Sequence, residues 1–357
     1  MKASKTIQHG AKPHGMNASG TKLSGVRLLG TILFLLFTAC ILTHSELSLY
    51  YAALGLMLWF EKMIPSLLPF MILSGIVIRL GLTQTIASFV YPLIRPLYRV
   101  RKDVCYCMML GFLCGFPMGA RVVADLYARG QLTKEEGEYL LAFCNNIGPV
   151  YYCSFVLPLL HRELIVPYLF GMYGIPALYG IFLRYTRYRT LDRLFYTRTV
   201  SGELSICTAP QSGKIKHGVI RSKNHKNGFL HKGERLLAET DQSISASIRS
   251  ILTLGGYMIL FNLLNLIPHV LYGRNFPLLS PLLEITGGLS LLQAQAPLYS
   301  LLVLSFGGFS CIAQTYSCVK DTELSIVDYT IHKVILTLLN ALFYFTWFLL
   351  LPNSFLH

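Results

Sequence analysis

The chain has 357 residues, 53% of them hydrophobic and 13% charged, with 31 basic against 17 acidic side chains and a mean hydropathy of +0.51. That balance excludes an ordinary soluble globular domain. The formal charge of +14 is gathered in two stretches rather than spread, and aromatics are not interleaved with the basic residues as stacking platforms, so the charge points to membrane topology and not to nucleic acid.

In chain order, residues 1–27 hold Lys2, Lys5, Lys12, Lys22 and Arg27 with no acid, which predicts a basic cytoplasmic tail by the positive-inside tendency. The apolar run 28–43 follows. FTAC (37–40) has some likeness to a cleavage site, but Phe37 suits one poorly and an uncleaved first helix is expected. Further apolar runs occupy 66–80, 104–114, 149–160, 164–183, 251–272, 297–312 and 334–351. Several approach the ~20 residues that cross a bilayer, and together they predict an all-α polytopic membrane protein of about seven to nine segments, some half-length. Glu61 and Lys62, just after Trp59 and Phe60, fit an interfacial helix that leads to a break at Pro65.

The most informative stretch is GFLCGFPMGARVVADLYARG (111–130), followed by CNNIGP (144–149). Gly111, Gly115, Pro117 and Gly119 crowd into one apolar segment, and a break is expected near Pro117. Broken backbone at membrane depth must be enclosed by protein or line a cavity, where freed amides and carbonyls meet a polar ligand. After the break, Arg121, Asp125 and Arg129 share one helix face at four-residue spacing. Gly130 suits that helix end, and Thr133 with Glu136 forms a capping box for the next helix. That helix runs to Asn145 and Asn146, where Gly148 and Pro149 end it. The two amides suit either a ligand contact or the capping of the broken end.

Residues 184–249 carry 13 basic side chains against Asp192, Glu203, Glu234, Glu239 and Asp241, which predicts a cytoplasmic linker lying near anionic lipid. The expected plan is a tail at 1–27, a first membrane half at 28–185, the linker at 186–244 and a second membrane half at 245–357. Basic RPLYRVRK (95–102) and the linker both prefer the cytoplasm, so one run between them is re-entrant. The run ending at GFPMGA is the one expected, with Met118 reachable from the cytoplasmic side.

In the second half, Glu284 lies in PLLEITGGLSLL (281–292) beside Gly287 and Gly288. An intramembrane carboxylate is costly and is a functional candidate by default. PSLLP (65–69) pairs with PLLSP (277–281), and GFPMGAR (115–121) with GFSCIAQ (308–314), which opens at Gly308 and closes at Gln314. Thr133 and Glu136 pair with Ser325 and Asp328. A two-fold internal repeat, of a kind that can be inverted in the membrane, is expected. Asn262, Asn265, Gln293, Gln295, Gln314 and Asn340 are expected chiefly as helix-to-helix hydrogen bonds.

Nine cysteines include no CxxC, and the ten histidines include no HExxH, so neither a disulfide framework nor a metal site is expected. No cofactor motif, paired working carboxylates or serine nucleophile elbow is present, and no enzyme is expected.

These motifs, GFLCGFPMGARVVADLYARG, LTKEEGEYLLAFCNNIGP, PSLLPF, LLEITGG and SFGGFSCIAQ, resemble the YlbJ-type sporulation integral membrane protein family, over about residues 45–350. That family is grouped with proteins carrying a nucleoside recognition, or gate, domain. The resemblance implies a multi-pass protein of the cell membrane, needed for spore cortex formation, that transports or recognises a small polar solute. On that reading the expected contacts are Asn145, Asn146, Glu284, Arg121 and Gln314. The helix breaks are shaped by Gly111, Gly115, Pro117, Gly119, Gly148, Pro149, Gly287 and Gly308. The alternative is a scaffold for cortex or coat assembly that acts through protein partners on the basic linker. Expected partners are membrane lipid, the solute, sporulation proteins and further copies of the chain, with no nucleic acid.

Overall fold

The computed structural model describes residues 20–160, 164–191, 228–274 and 276–350; the basic tail up to residue 19 and linker residues 192–227 lie outside them. Among the described residues the chain is helical throughout. Six helical stretches are long and apolar enough to cross a membrane: Ser45–Arg79, Lys134–Leu159, Ile165–Tyr185, Gly233–Tyr272, Pro297–Val319 and Ile326–Leu350, with a shorter apolar stretch at Arg27–Thr43. Leu33, Phe34, Leu56, Phe182, Leu342 and Phe345 stand exposed on these helices, as lipid-facing side chains must.

The first helix, α1 (Gly20–Thr43), turns at His44 into α2 (Ser45–Leu58), so it begins inside the stretch assigned to the tail. The break expected at Pro65 does not form. Instead α2 passes through a five-residue π turn, Trp59–Met63, into α3 (Ile64–Arg79), because Pro65 falls in the first turn of α3, where its missing amide costs little. Glu61 and Lys62 lie exposed on that turn, in the middle of a long helix rather than at its end.

Across the bundle runs α13 (Gly228–Leu263), antiparallel to α2 and α3. Just beyond α13, His269 meets Tyr51 at 3.0 Å, while on α13 itself Ile251 O accepts from Trp59 Nε1 at 2.8 Å and Ser243 Oγ donates to Ile72 O at 2.7 Å. Gly55 and Gly255 allow the close approach: a Cβ at Gly55 would lie 2.9 Å from Ile259 Cα, and one at Gly255 would strike the Trp59 ring. Because α13 is already helical at Gly228, residues 228–244 belong to this helix and not to the linker. Charge assigned them to the linker, but Ser243 is buried in the bundle.

Short helices α4 (Thr83–Ala87) and α5 (Tyr91–Tyr98) lead to the central motif, α6 (Lys102–Cys114), α7 (Met118–Ala128) and α8 (Lys134–Cys144). Arg101 joins the start of α6 to the capping box of α8, its Nε 2.8 Å from Glu136 Oε1. The box itself forms as expected, Thr133 accepting from Glu136 N while Glu136 accepts from Thr133 N. Beyond α8 the chain continues from Pro149 through Leu159 as α9 (Pro149–Tyr151), a π turn and α10 (Leu157–Leu159). Next, α11 (Ile165–Leu169) continues through a π turn into α12 (Ile175–Tyr185).

After α13 come α14 (Leu266–Tyr272), α15 (Ser280–Leu283), α16 (Ile285–Leu292), α17 (Pro297–Phe306), α18 (Gly308–Val319) and α19 (Ile326–Leu350). The order α17, glycine break, α18, cap, α19 repeats the order α6, glycine break, α7, cap, α8. Gly115 and Gly307 both take left-handed φ, +77° and +82°. Ser325 Oγ accepts from Asp328 N at 3.1 Å, as Thr133 accepts from Glu136 N. The trajectories differ. α6 and α7 fold back on each other, so close that a Cβ on Gly119 would lie 3.3 Å from Gly111 Cα. By contrast, α17 packs on α19 while α18 packs on α7 and α13.

Candidate functional site at the helix breaks

The break at Gly115–Pro117 and the break at Asn145–Gly148 are one structure. Phe116 N donates to Asn146 O at 2.6 Å, and Gly115 and Gly148 lie in backbone contact, each where the other would have a Cβ. The Phe116–Pro117 peptide is cis. Gly111 and Gly119 make room for the carbonyl of Cys144, so the end of α8 is clasped by the α6–α7 hairpin.

The second half builds a similar crossing. Gly308 sits 3.0 Å, by its absent Cβ, from Pro281 O and 3.2 Å from Leu282 O. Between α15 and α16 the chain reverses at Glu284, whose backbone is extended, and Gly288 lets α16 lie against Pro281. The PLLSP segment therefore opens a half-helix, whereas its sequence counterpart PSLLP lies inside a continuous one.

Glu284 is almost completely buried and works as the N-cap of α16. Its Oε1 accepts from Thr286 N (3.1 Å) and its Oε2 from Gly287 N (2.6 Å) and Asn262 Nδ2 (3.0 Å). A carboxylate at a helix N-terminus is favoured by the exposed amides there and by the helix dipole, which explains how an acid is tolerated at this depth. Gly287 is required beside it, since any Cβ would fall on Asn262 Oδ1.

Asn145 and Asn146 bind the two halves together. Asn145 Nδ2 donates to Thr315 Oγ1 (3.0 Å) and Tyr329 OH (3.2 Å), its Oδ1 accepts from Ala120 N at 3.4 Å, and Asn146 Nδ2 donates to Phe143 O at 2.6 Å. Lys333, buried on α19, donates to Asn145 O (3.0 Å) and Asn146 Oδ1 (3.2 Å). The cation sits where α8 ends, at its negative pole, and satisfies carbonyls the helix leaves orphaned. Neither asparagine lines the two cavities at the breaks; the Asn146 amide returns to a carbonyl of the last turn of α8, and the Asn145 amide reaches across to the second half. Lys333, Thr315 and Tyr329 were absent from the sequence reading. The one signal for them is a lysine a few residues inside an apolar 25-residue helix.

Two cavities meet at the breaks. The inner one, about 30 Å³ and room for roughly one or two waters, is lined by Cys114, Phe116, Pro117 and Gly148 from the first half and by Glu284, Thr286 and Gln314 from the second. Pro117, Gln314 and Leu254 also line the second, a polar vestibule of about 830 Å³ that reaches Arg79, Arg121, Asp125, Asp241, Arg249, Lys320 and Asp321. Gln314 spans the junction with its Nε2 donating to Ser310 Oγ at 2.8 Å. Arg121 pairs with Asp125 as its spacing predicts, at 3.7 Å. Thus Glu284, Gln314 and Arg121 lie along one path, while Asn145 and Asn146 stand behind it. Met118, expected to be reachable, is fully buried; Pro117 and Arg121 line the vestibule on that turn.

The chain is 24% identical to the sporulation integral membrane protein YlbJ of Bacillus subtilis (strain 168) over 350 aligned residues, covering 87% of this chain and 80% of that protein. The YlbJ-type likeness of the motifs therefore extends across most of the chain, and with the apolar helices it makes this a multi-pass membrane protein. No family model matches the chain. No solved structure matches it.

Proposed function

We propose that this YlbJ-type membrane protein acts in spore formation, in the steps that build the cortex, by binding and passing a small polar, nucleoside-like solute at its helix breaks. The observation that carries the reading is the convergence of breaks from both halves on one cavity, which shares Pro117, Leu254 and Gln314 with a vestibule of ligand size. Gln314 and the Glu284–Thr286 turn supply the polar contacts at the inner end, and Arg121 supplies them on the approach. The role is recognition and passage rather than catalysis, in the cell membrane, with the N-terminus and the basic linker in the cytoplasm.

The vestibule is lined by the middle of α13, from Asp241 to Tyr257, and by the ends of α3 and α18, with Arg79, Asp241, Lys320 and Asp321 among its charged residues. Arg79 pairs with Glu239 and Gln242, toward the end of α13 that follows the linker, so on this reading it opens on the linker's side. Cys318 lines it and is half-buried. Cys318 and Cys207, the latter in the linker, are expected to react with an impermeant maleimide from the same face of sealed vesicles, as mapped by peptide mass. Labelling of Cys318 from the opposite face alone would contradict the inward-facing vestibule.

The solute reading is tested by thermal unfolding of the purified chain in detergent against nucleosides, bases and cortex precursors, repeated with Glu284→Gln and Gln314→Ala. A ligand that binds only the folded state raises the unfolding temperature by mass action. The expected result is a shift with a neutral polar solute that is reduced in both variants. A shift of equal size in parent and variants would remove the site from the breaks.

A further inference from the structure

Beside the vestibule, between α3, α7 and α13, lies a side cavity of about 60 Å³ onto which Arg79, Arg121, Arg129 and Asp125 converge. Three of these, Arg79, Arg121 and Asp125, also line the vestibule, so the two spaces share one charged wall. Three guanidiniums face a single carboxylate. The fields of Arg121, Arg129 and Arg79 all fall on Asp125, yet its nearest ion pair, to Arg121 Nε, is long at 3.7 Å. Arg79 has outside support, donating to Gln242 Oε1 at 2.7 Å and lying 3.8 Å from Glu239. Even with Glu239 counted, positive charge exceeds negative around the cavity.

Arg121 is the telling member. The residue is 9% exposed, and its Nη1 is buried with no hydrogen-bond partner. A guanidinium presents donors in a planar fork matched to carboxylate or phosphate oxygens, and a buried donor left unpaired is costly. Screening of Asp125 alone requires one arginine, not three, and leaves that nitrogen unexplained.

We propose that this side cavity holds an oxyanion, a phosphate or a carboxylate, and that the oxyanion is the charged end of the solute passed at the helix breaks. The inference rests on the solute reading above and adds a charged end to the polar solute, whose neutral part is what the inner cavity meets. Arg121 binds it from α7 and Arg129 from the C-cap of that helix, eight residues on, and Arg79 closes over it from α3. Asp125 holds Arg121 and Arg129 in place between visits.

The test uses the full chain in detergent at matched ionic strength, with inorganic phosphate, citrate and chloride as the probes and unfolding temperature as the readout. Phosphate and citrate are expected to stabilise the parent beyond chloride. Arg121→Gln and the exposed Arg129→Gln are each expected to raise the phosphate concentration needed by roughly tenfold, the worth of one charge-assisted contact; Arg121→Lys is expected to recover part of the loss. No stabilisation beyond chloride, or equal stabilisation in all variants, overturns the anion site and leaves the solute reading standing, since that is probed with neutral solutes against Glu284→Gln. A second arm compares glycerol 3-phosphate with a short-chain phosphatidylglycerol. A response to the soluble phosphate supports the proposal, and a response to the lipid alone overturns its link to the solute.

Discussion

Gly115→Ala is expected to lower stability by about 3–5 kcal/mol, the sum of backbone strain and overpacking at one position. Gly115 has φ +77° and ψ −170°, a region that only glycine enters at little cost. Its missing side chain is also where Gly148 and the carbonyl of Asn146 pass. A methyl group there pushes the two breaks apart and stretches the Phe116-to-Asn146 hydrogen bond, which is the backbone tie between them. Gly130 provides the control: its φ is also positive, +70°, but nothing lies within 4 Å of its absent Cβ. Gly130→Ala is therefore expected to cost only about 1–2 kcal/mol, the penalty of left-handed backbone alone. Thermal unfolding of both variants in one detergent measures the difference, and equal losses would show that the interlock contributes nothing.

Glu284→Leu is the second large effect. It strands three donors, the amides of Thr286 and Gly287 and the Asn262 side chain, which cost about 3–6 kcal/mol where water is excluded. Removing a buried carboxylate returns part of its desolvation cost, so a net loss of about 2–4 kcal/mol is expected. Glu284→Gln keeps one acceptor oxygen, for Gly287 N and Asn262, but turns its amide nitrogen toward Thr286 N, so it is expected to cost about 1–2 kcal/mol, less than the leucine variant because it strands one donor rather than three. The pair separates the cap from any coupling role. If the glutamine variant is stable but fails to take up solute in vesicles, the charge serves the transport step. If the leucine variant is as stable as the parent, the cap described for α16 is not what holds Glu284.

Much of this site can be read in the sequence because its breaks come from local chemistry. Glycine and proline at 111–119 and 148–149 interrupt any helix, and Thr133 with Glu136 caps one wherever it occurs. The same local logic failed at Pro65, where proline falls in a first turn and the helix absorbs it as a π turn. Charge was the weaker guide. It placed residues such as Asp241 and Gln242 in the linker, although they lie on α13 and line the vestibule. The partners of Asn145 lie 170 and 184 residues away along the chain, on helices whose pairing only the assembled bundle determines. No periodicity or motif marks Thr315 or Tyr329 as the residues that meet it.

The position of Lys333 bears on how the protein is made. α19 is made after the helices it packs against, and a lone cation within a membrane-spanning helix costs up to about 2.5–3.5 kcal/mol. The carbonyls that receive this lysine belong to Asn145 and Asn146, synthesised 188 and 187 residues earlier. The lysine sheds that cost only where α19 meets the end of α8, so seating α19 in the bundle and joining the two halves are coupled through one side chain.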